Sequence, residues 1–469
     1  MVHKIISDGF AIDKSVVITI VITAIVFFME FLLLDVDSPT LSFCLAYDID
    51  FIICFGFFFF VKREKTLFNF YSLFWLSISL FSFGHVILFS LGLNAPIRFI
   101  FDDYPLKLVN EYMVFGFVSF VFLFLAGVFV ERLKNKDVVE LPLSRVGNNA
   151  KLVFLSFFVL SSPFYLYKTF HNLTIANAYG YAGIYESEGN LIVTLLAMWY
   201  IPSLYGLIYC YKDDFRKFFF LTLLLLPIIV YMIVGGRGIA MSILFSLLYF
   251  WNMAIKKITR SQTLIVLLCG LFIMILLPSI GEYRLRMSSM SFTDIFGTYA
   301  LSGFTEILKS VLGELGGSAK IWMLLQRIIP DLQAYGFGMS YISSVLCCVP
   351  SFLFGGFSFA EYANLSDWIT TIEGSKYGLG FSMLGESFYN FGWFGMLGTF
   401  FVGVFMFYVI SCKWLPQSLN QYKYVFSATA LYIFALVGRN SIYLGVRQVL
   451  YVIIVPALLI YLTRNKKKW

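Results

Sequence analysis

Arginine residues occupy short turns between apolar stretches of this sequence. Arg237 lies in a Gly-Gly-Arg-Gly turn at 235–238, and Arg439 and Arg447 flank another turn nearer the carboxyl end. The planar guanidinium group binds phosphate through parallel hydrogen bonds and keeps its charge at physiological pH. Glycines beside Arg237 let the main chain come close to a ligand or to another helix. These turns predict a binding site for an anionic, phosphorylated substrate.

Within residues 385–395, a carboxylate, an amide and two aromatic rings are spaced so that a helix would place them on one face. A carboxylate at such a position is a candidate general base for a hydroxyl nucleophile. Sugars need hydrogen bonds at their edges and apolar contact at their faces, which an amide beside aromatic rings supplies. The alternative is a cluster that caps a helix and anchors it at the membrane interface. The residues that helical spacing places on one face are Glu386, Tyr389, Asn390 and Trp393.

The elements that position these residues must lie in lipid. Of the 469 residues, 60% are hydrophobic and 13% are charged, whereas soluble domains average about 25% charged residues. The 55 phenylalanines exceed what a soluble core of this size can bury. The composition therefore excludes a cytosolic enzyme, a nucleic-acid binder and a secreted domain, and it predicts an all-α polytopic membrane protein.

Apolar stretches of sufficient length predict about twelve transmembrane helices, within a range of about 10–14. A basic cluster follows every second stretch, which places both termini in the cytoplasm by the positive-inside rule. The first stretch is expected to be a retained helix and not a cleaved signal peptide. The stretches lie near 16–34, 41–61, 67–91, 111–130, 152–167, 191–211, 218–234, 238–255, 264–280, 388–410, 425–437 and 446–462.

Residues 281–387 form the one large loop, and the alternation of sides places it outside the cytoplasm. From Phe304 to Leu315 its apolar residues recur at helical spacing, which predicts an amphipathic helix on the membrane surface. The apolar piece at 341–354 is expected to be re-entrant or interfacial, with two short spans as the alternative. The expected domains are transmembrane helices 1–9, the loop, and transmembrane helices 10–12, at 1–280, 281–387 and 388–469.

The outer face predicted in this way carries seven arginines but only five lysines. The positive-inside rule disfavours basic residues there, so the arginines indicate binding of a phosphorylated, lipid-borne substrate. For each arginine, the alternative is snorkelling to lipid headgroups or pairing with a loop carboxylate such as Glu282, Asp294 or Asp331.

The spacing of cysteine, histidine and glycine residues adds no cofactor site. The seven cysteines lie mainly in apolar stretches without a Cys-x-x-Cys pair, and the three histidines share no ligand spacing. Neither glycine-rich nucleotide-binding motif occurs. The sequence therefore predicts no cofactor and no metal site.

Four segments together resemble the bacterial oligosaccharide repeat-unit polymerases, the Wzy-type O-antigen polymerases. Their order, the number of apolar stretches and the single large loop extend this resemblance over nearly the whole chain. The segments are the Gly-x-Arg-Gly turn at 235–238 and residues 327–338, 385–395 and 438–447.

The resemblance implies a GT-C-like glycosyltransferase in the bacterial inner membrane, with its active site on the periplasmic side. Its donor would be a growing polysaccharide on undecaprenyl pyrophosphate, and its acceptor a single repeat unit on the same carrier. The chain would move en bloc onto the new unit and release the carrier pyrophosphate, which arginines stabilise without a metal. The implied partners also include membrane lipid, and a chain-length regulator and a flippase of the same pathway.

On this hypothesis each singled-out residue has a role. Glu386 is the candidate base, and Arg237 and Arg439 join it in catalysis. The arginines expected to bind the carrier pyrophosphate are Arg284, Arg286, Arg327 and Arg447. The residues expected to bind sugar are Tyr389, Asn390 and Trp393.

Other functions stay open at this point. An O-antigen ligase shares the general layout but uses a different acceptor, and the large loop contains no histidine to serve as its base. A lipid-linked oligosaccharide flippase, which is not an enzyme, would have a comparable number of helices but no need of a large outer loop. A secondary transporter or a lipid-binding scaffold is the remaining alternative.

Overall fold

The computed structural model describes residues 23, 26–29, 31–32, 38–96, 99–133, 148–186, 190–234, 236–270, 303–349, 351–375 and 378–465. In these ranges the regular structure is helical and no strand occurs. The all-α class predicted from composition is therefore confirmed for this part of the chain. Glu282, Arg284, Arg286 and Asp294 lie outside the described residues.

Helices α1–α9, which precede the large loop, span Pro39–Glu64, Phe70–Ser90, Ile100–Asp103, Leu106–Arg132, Asn148–Glu186, Leu191–Ala197, Tyr200–Cys210, Arg216–Val234 and Arg237–Phe250. Within the loop, α10–α14 span Phe304–Leu315, Ala319–Ile328, Met339–Leu346, Ala360–Ala363 and Leu365–Ile372. From the end of the loop onward, α15–α19 span Met383–Phe391, Gly395–Ile410, Lys423–Phe434, Ile442–Gln448 and Val455–Asn465. A π-helical segment at 449–454 joins α18 to α19.

Within the described residues, eight helical stretches are long and apolar enough to cross a membrane. They match eight of the twelve predicted spans. Two other predicted spans, 16–34 and 264–280, fall mostly outside the described residues. The remaining two, 218–234 and 425–437, coincide with α8 and α17, which are not among the eight stretches. The stretches are Pro39–Glu64, Phe70–Ser90, Leu106–Arg132, Asn148–Ile175, Ile192–Cys210, Gly238–Ile255, Met383–Ile410 and Ile442–Thr463.

Aromatic side chains form much of the core between α1, α2, α4 and α16. Phe60 packs against Phe124 with ring centroids 5.6 Å apart, and Trp75 lies 5.1 Å from Phe120. A Cβ atom on Gly56 would stand 2.5 Å from the Trp75 ring, so the small residue allows this approach. Close packing at small residues holds helices together in lipid, where the hydrophobic driving force between them is absent.

The amphipathic helix predicted in the loop forms as α10, but its apolar face is covered by protein. Ile307, Val311 and Leu315 are buried against α2. The main chains meet so closely that a Cβ atom on Gly84 would stand 2.4 Å from the Leu312 carbonyl oxygen. Helix α2 therefore covers this face, which periodicity alone does not reveal, and an interfacial position of α10 stays a prediction.

Helix α12 has only eight residues, and its polarity is the reverse of that of a soluble helix. Ser340, Ser343 and Ser344 are fully buried, whereas Ile342 and Val345 are more than half exposed. Eight residues rise about 12 Å, far less than the about 30 Å of a bilayer core. The outward apolar face and short length agree with a re-entrant or interfacial segment, and α12 is too short to be a span.

Candidate functional site

The loop before α12 is bound to the carboxyl end of α15. The last carbonyl groups of a helix have no partner within it. Here the Gly336 amide donates to the Tyr389 carbonyl oxygen, and the Phe337 amide donates to the Asn390 carbonyl oxygen. Both distances are 2.9 Å. A Cβ atom on Gly336 would stand 2.4 Å from the Tyr389 ring, so this crossing requires glycine. Two segments of the family resemblance thus meet directly.

The side chain of Asn390 closes the same crossing. Its Oδ1 accepts a hydrogen bond from the Gly338 amide at 3.0 Å, and its Nδ2 donates to Ser340 Oγ at 2.8 Å. The same Nδ2 donates to the Glu386 carbonyl oxygen at 2.9 Å. Asn390 is fully buried, and both ends of its amide are engaged by the protein itself.

Glu386 joins α12 to the amino end of α18. Its Oε1 accepts a hydrogen bond from Ser340 Oγ at 2.8 Å, and its Oε2 accepts one from the Ile442 amide at 2.7 Å. Ile442 opens α18, where an amide lacks a helical partner and the helix dipole favours a negative charge. Glu386 itself is only 1% exposed. Burial, and then the nearby Glu386 charge, raise the pKa of the Tyr341 phenol above its usual range.

Residues just before α15 and at its first position hold the turn between α17 and α18. The Phe381 amide donates to the Arg439 carbonyl oxygen at 2.8 Å, and the Met383 amide donates to the Val437 carbonyl oxygen at 3.0 Å. Gly380 has a positive φ of 74°, and a Cβ atom there would stand 2.6 Å from the Arg439 carbonyl oxygen. Glycine is needed for both reasons. The segment at 438–447 is therefore bound to the residues that lead into α15.

The guanidinium groups near this turn are not neutralised within the described part of the chain. Arg439 is half-buried, and its side chain makes no hydrogen bond or ion pair there. Arg447 donates from Nη1 to the Tyr443 hydroxyl at 3.2 Å, but its Nε is buried without a partner among the same residues. Helix α12 packs against α18, and its Ser343 Oγ is also buried without a hydrogen-bond partner among these residues. Unpaired buried donors are costly, so the interface of α12 and α18 is a candidate anion site.

The turn that carries Arg237 lies beside the turn that carries Arg439. A Cβ atom on Gly238 would stand 3.5 Å from Phe81 Cζ, and one on Gly438 would stand 2.9 Å from Phe81 Cβ. Both turns therefore pack against the same residue of α2. The Arg237 side chain lies outside the part that the structure describes.

Other predicted groups are not brought to this turn. Arg327 lies in the last turn of α11, exposed, with its guanidinium carbon 4.8 Å from the centroid of the Tyr104 ring. No hydrogen bond joins it to the turn between α17 and α18 in the described ranges. Nor do three or more metal-ligating side chains come together anywhere in those ranges.

The four residues predicted on one helical face do not stay together. Gly392 has a positive φ of 57° and ends α15 before Trp393. Trp393 instead packs towards Trp322 of α11, with ring centroids 6.1 Å apart. Tyr389 is half-buried, and its ring lies 5.2 Å from that of Trp368 on α14. The common face is wrong for Trp393, because a glycine with a positive φ ends the helix before that residue.

Sequence reasoning missed the partners of these groups. Ser340 and Ser343 carry a usable signal, because serines at 340, 343 and 344 recur at helical spacing in an apolar segment. Such spacing indicates a polar face turned inward. Tyr443 also carries a signal, because it precedes Arg447 by four positions on one helix. Gly380 carries none, because the chain that it meets is set only by the tertiary fold.

One protein-family model matches the chain over residues 15–468, and its description is O-antigen polysaccharide polymerase Wzy. No curated protein and no solved structure matches the chain. The family match spans all four segments whose contacts are described above. The chain belongs to the O-antigen polysaccharide polymerase Wzy family.

Proposed function

We propose that this chain polymerises oligosaccharide repeat units carried on undecaprenyl pyrophosphate, at the outer face of the bacterial inner membrane. Its family makes it a glycosyltransferase-type polymerase of O-antigen biosynthesis. In the proposed reaction, a hydroxyl of one carrier-linked unit attacks the anomeric carbon of the growing chain. The bond from that carbon to the second carrier's pyrophosphate breaks, a base takes the hydroxyl proton, and the whole chain moves to the new unit.

Contacts that link the four segments around the turn between α17 and α18 carry this proposal: Gly336 binds α15, Glu386 binds α18, and Gly238 packs beside Gly438 on Phe81. The main chain of Arg439 is fixed there, whereas its guanidinium has no ion pair within the described residues. A departing pyrophosphate gains negative charge, and preorganised cations stabilise that charge without rearranging. Arg237, on the neighbouring turn, is proposed to act with Arg439.

Arg447 is proposed to bind the pyrophosphate of a carrier at the interface of α12 and α18. Its Nε and Ser343 Oγ are both buried without hydrogen-bond partners in the described part. A phosphate oxygen between these helices would supply the missing acceptor, and guanidinium is well suited to it. Arg284, Arg286 and Arg327 are proposed to contact carrier pyrophosphate nearer the large loop.

The sugar site is proposed at Tyr389. Its half-buried ring beside Trp368 offers the flat apolar surface on which a sugar face can stack. Asn390 and Trp393 stay predictions as sugar ligands. In the structure Asn390 is hydrogen-bonded to the loop before α12, and Trp393 packs towards α11.

The finer architecture belongs to the same proposal. We propose about twelve transmembrane helices in a GT-C-like arrangement, with both termini in the cytoplasm. The proposed active site faces the periplasm, and a chain-length regulator and a flippase of the pathway are proposed partners. The proposed domains are 1–280, 281–387 and 388–469.

A deletion strain complemented with single variants tests this function. On a polysaccharide gel, the deletion is expected to leave lipid cores that carry one repeat unit. Arg439→Ala and Arg447→Ala should give the same single-unit product. Arg216→Ala is the matched control, because Arg216 is an exposed arginine paired with Asp214, and it should keep the full ladder.

Two outcomes would contradict the proposal. An unmodified lipid core in the deletion strain would assign the chain to ligation or flipping. Unchanged ladders in both arginine variants would exclude the proposed phosphate site while leaving the family function intact.

A further inference from the structure

Glu386 bridges two parts of the site that are far apart in the sequence, α12 and the amino end of α18. We infer that Glu386 is a positioning residue, whose carboxylate holds the Arg439 turn in place and does not act as the general base. The inference rests on the proposed function, since it concerns how Arg439 is presented to the leaving group.

Both oxygens of this carboxylate are occupied. Oε1 accepts from Ser340 Oγ at 2.8 Å and Oε2 accepts from the Ile442 amide at 2.7 Å, and the residue is 1% exposed. A general base must come within about 2.6–3.2 Å of the hydroxyl that it deprotonates. Each oxygen keeps a second lone pair, but at 1% exposure a substrate hydroxyl could approach it only after the helices packed around Glu386 had moved.

The hydrogen bonds around Ser340 have a consistent direction. Asn390 Nδ2 donates to Ser340 Oγ at 2.8 Å, so the serine proton is free to point towards Glu386. The carboxylate is then the acceptor at both of its oxygens, and each member of the chain has a partner. A network of this kind specifies one arrangement of the segments that it joins.

A single stretch of chain, residues 380–386, holds the Arg439 turn at three points, one of which is the Met383 amide on the Val437 carbonyl oxygen. The Phe381 amide binds the Arg439 carbonyl oxygen, and the Glu386 carboxylate binds the Ile442 amide three residues later. Holding the main chain on both sides of Asn440 and Ser441 limits where the Arg439 guanidinium can lie. Fixed placement of a cation before the reaction is what electrostatic stabilisation of a leaving group requires.

Glu386→Gln separates positioning from base catalysis. Glutamine has the same shape: its carbonyl oxygen can accept from the Ile442 amide and its amide can donate to Ser340 Oγ, whose own proton then loses the acceptor that Glu386 supplied. We expect kcat within about threefold of the wild-type value, because neutral hydrogen bonds replace charged ones. The pH profile of kcat should also be unchanged. Glu386→Ala removes both bonds and should lower kcat at least about tenfold, with a smaller effect on KM.

Gly380→Ala moves the same turn without touching the carboxylate. The new Cβ atom would stand 2.6 Å from the Arg439 carbonyl oxygen, so kcat should fall as it does in Glu386→Ala. Gly374→Ala is the matched control. Gly374 also has a positive φ, of 62°, but a Cβ atom there meets nothing within 4 Å, so that variant should keep its activity.

The rates are measured with purified protein and lipid-linked repeat units extracted from the deletion strain, after thermal melting has shown which variants are folded. The inference is overturned if folded Glu386→Gln is as inactive as Glu386→Ala, or if Gly380→Ala is as active as Gly374→Ala. Should Glu386→Gln not fold, equal activity of Gly380→Ala and Gly374→Ala still overturns the inference, because placement of the Arg439 turn would then not matter. Absence of polymer with the wild-type protein would instead refute the proposed function.

Discussion

The main chain of Gly84 in α2 lies against that of Leu312 in α10, where a Cβ atom would stand 2.4 Å from the carbonyl oxygen. This contact docks the large loop on the helix bundle. Further along the loop, Trp322 of α11 packs on Phe388 of α15 with ring centroids 5.0 Å apart. The loop and the helix that carries Glu386 are therefore parts of one packed structure.

Gly84→Ala should loosen this docking. The added methyl group has no room between two main chains, and overpacking of this kind costs about 1–3 kcal/mol. Thermal melting in detergent should show a lower midpoint, and protease should cleave the loop sooner. Gly317→Ala is the control, because a Cβ atom there meets nothing within 4 Å; equal melting of the two variants would contradict the close approach.

Arg439→Lys should polymerise poorly although it keeps the positive charge. Lysine lacks the planar pair of donors that matches a phosphate, so we expect kcat to fall about ten- to a hundredfold. The length of the polysaccharide ladder and the rate with extracted lipid-linked units measure this effect. Full activity of the lysine variant would show that charge alone suffices and would exclude paired hydrogen bonding by this residue.

Asn390→Ala should release the loop before α12. The change leaves the Gly338 amide without its acceptor in a buried position, which costs about 1–3 kcal/mol. Limited proteolysis and thermal melting should both reveal the weaker attachment. Asn364→Ala, which removes only a surface hydrogen bond to Asp367, should leave both measurements unchanged.

Tyr389 and Trp393 should respond differently to truncation. If the Tyr389 ring stacks on sugar, Tyr389→Leu should raise KM for the repeat unit about two- to tenfold. Trp393→Leu should instead lower the melting midpoint, because that ring packs towards Trp322. A change in KM for Trp393→Leu alone would reverse the two assignments.

Periodicity predicts the helices of the loop but not the surfaces that they contact. The stripe from Phe304 to Leu315 specifies α10 correctly, because apolar residues at helical spacing have one structural solution. Lipid and the side of another helix are both apolar, so the stripe does not distinguish them. The pairing depends on Gly84, which looks like any other glycine until α10 is brought against it.

Within the candidate site, residue type predicts possible chemistry but not how each group is occupied. The type and spacing of Glu386 are consistent with either a base or a cap, and its hydrogen bonds to Ser340 and Ile442 favour the cap. Ser340 and Ile442 lie 46 and 56 positions away in the sequence, so local spacing does not reveal them. The break before Trp393, in contrast, is visible in advance as a glycine within the helical pattern.

The packing of two glycine turns on Phe81 has a consequence for biosynthesis. Ser77, one turn earlier on the same helix, donates to the Ala435 carbonyl oxygen across 358 positions of sequence. While the ribosome synthesises the intervening helices, this face of α2 lies in the membrane without its contact to the turn between α17 and α18. The arginine turn can form only after α17 and α18 have been inserted. Nascent chains released before that point should therefore be wholly inactive and exposed to membrane proteases, with no partly functional intermediate.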